Sequence, residues 1–239
     1  MFVELLLSVA MVDAAPASRF SPQGQALIVS VQASVDEARA RQAQLPPPGN
    51  DTERLLRMGE LDRAPRMVLT SFDFSTLPLS ERDAVLQAAV VPMKATDQQN
   101  QAELLKMAPP EGWFARSRYG DKASRAAFDI VQHADTAMQR RFLPKLEAFA
   151  RNGEADGQNF GLMFDRVATS EGRPQRYGTQ FRCDFGKWRP YPMEDEAKVE
   201  ARRSEIGFKL PYVEYKARMQ ASPPCPQTRS PPPPGMRFD

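Results

Sequence analysis

Apolar positions recur at helical spacing through most of the chain. Ile28, Val31, Val35 and Ala38 form one stripe in residues 23–44, and "DEARARQ" supplies a charged opposite side, so this segment reads as an amphipathic helix. "LPPPGN" at 45–50 stops it. Residues 51–63 read as a second helix, ended by Pro65, and 71–78 as a loop. A further helix starts near Ser80, which caps it with Asp83 three residues on; Pro92 kinks or ends it, and 94–107 continue helical until "APPEGW". From Lys122 the chain is helical again through "VQHAD" at 131–135. Thr136 followed by Gln139 is a capping-box pattern, so another helix starts near 136. In 159–170, Phe160, Met163, Phe164 and Val167 fall at i, i+3, i+4 and i+7, one buried stripe, and Gly172 fits the stop.

The pattern then changes. "YGTQFRCDFGKWRPYPM" (177–193) alternates and is rich in aromatics around a glycine-containing turn at 184–187. It reads as a β-hairpin with Phe181 and Cys183 on one face and Gln180 and Arg182 on the other. Residues 194–207 and 212–219 return to helical spacing, and the proline-rich end beyond 220 reads as extended or disordered. The expected fold is mainly α, an α+β chain with one small hairpin near 177–193. Its expected organisation is a leader over 1–17, a variable helical region over 18–96, a domain carrying a polar site over 97–219, and a tail over 220–239.

Composition narrows the functional classes. Of 239 residues, 41% are hydrophobic and 26% charged, with a net charge of +2, so a sizeable core can form. That balance gives no general reason to expect nucleic acid as a partner. Leu5 to Val12 is too short an apolar run to span a bilayer. With "AAPA" at 14–17 it resembles a secretory leader cleaved after Ala17. Glu4, and the lack of Lys or Arg before the run, count against that reading. The expectation is a periplasmic or secreted protein, with a cytoplasmic one as the alternative. Cys183 and Cys225 could pair in an oxidising compartment, but "SPPCPQ" around Cys225 looks poorly ordered, which favours two unpaired thiols.

His133 is the only histidine. On a helical wheel it leaves the Ala127, Val131, Ala134, Met138 face and joins Arg125, Asp129, Gln132, Thr136 and Arg140, facing solvent or a polar cleft. It is either a surface side chain or a general acid or base oriented by Asp129, four residues earlier, or by Asp165. Arg166 would hold an anionic group. Gln175, Tyr177, Thr179 and Gln180, crowded around Gly178, suit neutral polar ligand atoms; Asp135, Gln139, Glu194 and Arg203 complete the candidate polar set. One histidine excludes a zinc site built from several, and two separated cysteines form no zinc ribbon. Asp135, Asp165, Glu194 and Asp195 have no diagnostic metal-binding spacing. No cofactor motif is present, neither G-x-G-x-x-G after a strand nor a P-loop, and no G-x-S-x-G elbow. A thiol nucleophile in this region would have to be Cys183 with His133 as its base.

Several of these residues stand in an order that resembles an uncharacterised bacterial family, domain of unknown function 6624, over about residues 97–219. The matching pieces are Asn100 with Leu104, Gly112-Trp113, "VQHAD" with Gln139, "DRV" at 165–167, "GRPQRYGTQF" at 172–181, Pro192 with "MED" at 193–195, and "VEARRSEIGF" at 199–208. The family's "GWP" stands here as Gly112-Trp113-Phe114. The resemblance carries no activity, but a pattern made of polar side chains is what a shared site leaves. It moves His133 toward a functional role, in a hydrolase or transferase or in a module that binds a small polar ligand. The alternative is a non-catalytic module in which the same groups form a buried hydrogen-bond network.

Overall fold

The computed structural model describes residues 19–222 and Cys225. The expected leader and most of the proline-rich tail lie outside the described residues. Helix α1 (Pro22–Ala43) starts where the Ser21 hydroxyl accepts the Gly24 N–H and Pro22 supplies a first-turn φ; it buries Leu27, Val31, Val35 and Ala38. Helix α2 (Asp51–Ser71) starts where the Asn50 side chain accepts the Glu53 N–H at 2.9 Å. It does not end near Pro65. The proline is buried inside the helix, at a cost of about 3 kcal/mol for the lost bond and the ring clash. Packing on both sides outweighs that cost: Leu55 and Met58 join one core cluster, and Val68 and Leu69 pack on the other.

Helix α3 (Arg82–Val90) leads through a 3₁₀ turn at Val91–Met93, built on Pro92, into α4 (Lys94–Met107). Ser80 does not cap α3. The N-cap is Glu81, whose carboxylate instead accepts from the Ser21 N–H at 2.9 Å and from the Ser21 hydroxyl, tying α3 to the start of α1. Helix α5 (Arg116–Gln132) is interrupted at Gly120, whose φ of 78° belongs to the left-handed region, so its regular part starts close to Lys122. Helix α6 (Thr136–Arg151) is capped by Asp135 rather than Thr136. Asp135 accepts the Met138 N–H at 2.8 Å, and the Gln139 amide reaches back to the Gln132 and Ala134 carbonyls, both at 2.9 Å. Helix α7 (Gly157–Ser170) buries Phe160, Met163 and Val167 as its spacing implies.

The hairpin follows. Strand β1 (Phe181–Asp184) pairs antiparallel with β2 (Lys187–Pro190), Cys183 opposite Trp188. Phe185 and Gly186 make the two-residue turn with φ of 48° and 79°, the conformation that matches strand twist. Helix α8 (Val199–Glu205) packs against α9 (Tyr212–Ala221), and α9 packs beside the hairpin, with Phe181 edge-on to Tyr215. Among the described residues no helix is long and apolar enough to cross a membrane.

The cysteines correct the expectation of free thiols: Cys183 and Cys225 form a disulfide across a sequence separation of 42. Cys225 is fully buried, and its N–H donates to the Gly186 carbonyl.

Helices α2 and α5 lie side by side, and their separation is set by Gly59. A Cβ there would sit 2.6 Å from the Ala126 Cβ. Gly59→Val is therefore expected to force the pair apart and to cost about 1–3 kcal/mol. Urea denaturation checks this; unchanged stability would mean that the helices are not held at this distance.

Candidate functional site

Asp62 stands among Leu55, Met58 and Pro65 on the buried side of α2 and is only 2% exposed. A carboxylate in that position must be paired or protonated. Arg66, one turn on, meets its Oδ1 at 2.9 Å and extends its other nitrogen to Asp97 on α4, also 2.9 Å. The remaining partner is His133, whose Nδ1 lies 3.0 and 3.1 Å from the two Asp62 oxygens.

His133 is the C-cap of α5, its N–H held by the Asp129 carbonyl. Its imidazole is one-quarter exposed, and Nε2 has no hydrogen-bond partner among the described residues. The ring borders a cavity of about 650 Å³ between α2, α4 and α5, whose apolar wall includes Met67, Leu69, Val90 and Met93. With Asp62 accepting from Nδ1–H, the neutral imidazole carries its lone pair on Nε2, on a ring that borders this space.

Asp129 is not the residue that orients His133. It also lines the cavity, but its carboxylate takes the Arg125 Nε at 2.8 Å. Burial pushes the Asp129 carboxyl up from its ordinary value, while Arg125 pulls it back down. Arg125 also reaches α7 through the Asn159 side-chain oxygen at 2.9 Å. A second cavity, of about 500 Å³, continues along α2 and α5 past Gly59 and Ala126. Arg63, Arg125 and Asp129 border both, so the two form one groove.

Of the residues singled out from the sequence, His133, Asp129 and Gln132 line this cavity. Asp135 and Gln139 are spent on joining α5 to α6. Asp165, Arg166, Gln175, Tyr177, Thr179, Gln180, Glu194 and Arg203 do not border it, so Asp165 does not orient His133 either. Asp165, fully buried, accepts the N–H groups of Arg176 (2.7 Å), Tyr177 (3.0 Å) and Thr179 (2.9 Å) and the Thr179 hydroxyl (3.0 Å). Burial pushes its carboxyl up, and those donors pull it back. The Gln175 amide donates to the Gln180 and Tyr191 carbonyls and accepts the Gln180 N–H at 2.8 Å.

Arg203 and Glu194 have similar duties. Arg203 donates to the Tyr177 and Leu210 carbonyls and stacks 4.0 Å over Phe208. The Glu194 N–H donates to the Gln175 carbonyl, and its carboxylate lies 3.8 Å from Arg176. The Arg166 guanidinium is lowered in pKa by burial. Cys183, being in a disulfide, supplies no thiolate for His133 to activate. Among the described residues no group of three or more His, Cys, Asp or Glu side chains is placed to hold a metal ion.

Sequence reasoning missed Asp62, Arg66 and Asp97. One signal was present: Leu55, Met58, Asp62 and Pro65 share a helix face, and an acid in an apolar stripe asks for a buried partner.

The chain belongs to the family of unknown function DUF6624, which it matches over residues 48–222. The match takes in α2, and with it Asp62. No curated protein and no solved structure matches the chain.

Proposed function

We propose that the chain is an enzyme of acid–base chemistry, hydrolytic in its simplest form, with His133 as general base and Asp62 as the residue that positions it. The observation that carries this reading is the pairing of His133 Nδ1 with an almost fully buried carboxylate while the ring borders a 650 Å³ cavity. A buried, clamped carboxylate holds the imidazole in one tautomer and stabilises the imidazolium once a proton is taken. Thr70, the one hydroxyl side chain among the described residues that line the cavity, donates its proton to the Arg66 carbonyl at 2.9 Å, and no serine or cysteine is among them. Water is therefore the nucleophile: Nε2 accepts its proton as the water oxygen bonds to the electrophilic atom of the substrate. The bond to the leaving oxygen breaks, and that oxygen takes the proton back from His133.

The competing reading, a non-catalytic hydrogen-bond network, is favoured for the half around Asp165, whose carboxylate and the Gln175 amide are satisfied internally. Residence in the periplasm or outside the cell is part of the proposal. The Cys183–Cys225 disulfide supports it, since such bonds persist in oxidising compartments, and thiol titration of the protein as isolated tests it.

The reaction is tested with p-nitrophenyl acetate, p-nitrophenyl phosphate and bis(p-nitrophenyl) phosphate. Turnover of at least one is expected, lowered about 10²–10⁴-fold by His133→Ala and substantially by Asp62→Asn. No turnover of any probe, or turnover indifferent to His133, would overturn the hydrolytic reading.

A further inference from the structure

In the cavity beside His133 four cations, Arg63, Arg66, Lys94 and Arg125, stand against three acids, Asp62, Asp97 and Asp129, and that excess names the class of molecule that fits it. Every acid along the groove is in an ion pair: Asp62 and Asp97 share Arg66, Asp129 meets Arg125, Glu60 meets Arg41 and Asp121 meets Arg116. Three cations along the same groove, Arg63, Lys94 and Lys122, have no acidic partner among the described residues. They are spread along it. Lys94 borders the cavity that holds His133, Lys122 borders the second cavity, and Arg63 borders both.

The surfaces between these charges are apolar. Met67, Leu69, Val90 and Met93 line the first cavity, and Leu56 and Ala126 the second. Met67 and Leu56 are exposed, at 59% and 41%, on the outward-facing rim of α2. Unmatched cations over apolar walls give a small inorganic anion too little to touch, and a neutral hydrophobe leaves the cations unanswered.

We infer that the ligand of this groove is an amphiphilic organic anion, with a carboxylate or phosphate head between Arg63 and Lys94, beside His133, and an apolar body along the α2–α5 seam. The inference rests on the catalytic reading only for what happens to the ligand after it is bound; the binding follows from charge and surface alone.

The test is displacement of the fluorescent anion 8-anilinonaphthalene-1-sulfonate from the full chain by octyl phosphate, octanoate, octylammonium and inorganic phosphate. Octyl phosphate or octanoate should displace the dye at concentrations at least about tenfold below those needed for octylammonium or inorganic phosphate. Whichever of the two anions is the stronger identifies the head group. Arg63→Glu and Lys94→Glu should each weaken that displacement about tenfold or more, with the thermal transition unchanged because neither side chain holds another residue. Asp62→Asn should lower turnover while octyl phosphate or octanoate still displaces the dye in preference to octylammonium, so failure of the catalytic reading and failure of this inference stay distinguishable. Equal displacement by octylammonium, equal displacement by inorganic phosphate, or indifference to both charge reversals would overturn the inference.

Discussion

Asp165→Asn is expected to cost about 3–5 kcal/mol of folding stability, because it removes one member of a fully buried polar set and leaves the others unpaired. The carboxylate faces three backbone N–H groups and a hydroxyl, all of them donors. An asparagine would turn two N–H donors of its own toward them. The loop from Arg176 to Thr179 has no regular ladder to fall back on, so its release should loosen the contacts of Tyr177 with Phe160, Phe164 and Phe208. Urea denaturation followed by fluorescence of Trp113 and Trp188 measures the loss. A change within about 0.5 kcal/mol would show that solvent reaches the loop and replaces the carboxylate.

The second large effect is expected at the disulfide. Closing a loop with a sequence separation of 42 removes chain entropy worth about 4 kcal/mol from the unfolded state. Cys225→Ser should lower stability by an amount of that order and free the segment after Ser222 from the hairpin turn, where the Cys225 N–H meets the Gly186 carbonyl. Limited proteolysis should then cut after 222 much faster than in the oxidised wild type. An equal rate of cleavage would mean that the tail is held without the bond. Turnover at the groove should be little changed, since neither cysteine borders it.

Much of the fold was legible because its helices carry regular apolar stripes. The α7 stripe, the α4 end before "APPEGW" and the hairpin turn at 184–187 lie where spacing and turn chemistry put them. Local rules failed where a distant partner competed. Ser80 loses the cap of α3 to Glu81, whose carboxylate is claimed by Ser21, sixty residues away in sequence. Pro65 sits inside α2 because that helix packs on both core clusters.

The groove was half legible for the same reason. Helical phase puts His133 off the core face of α5, and it does border a cavity. The same reasoning looks for its partner one turn away, at Asp129, yet the contact comes from Asp62, 71 residues distant in sequence. Helical periodicity assigns faces within one helix; it does not say which helix lies opposite. The aromatic and amide cluster at 175–180 looked like a ligand surface because polar side chains that satisfy one another carry the same sequence signature as polar side chains that await a ligand.

The most direct test of the account is the tautomer of His133. Because the chain has one histidine, a long-range ¹H–¹⁵N spectrum contains a single imidazole. At a pH where the ring is neutral, the account predicts the proton on Nδ1, held by Asp62, and an unprotonated Nε2. It further predicts that Asp62→Asn shifts the ring toward the Nε2–H form or a mixture of the two. A wild-type ring protonated on Nε2, or a spectrum unmoved by Asp62→Asn, would contradict the Asp62–His133 pair as the centre of the site.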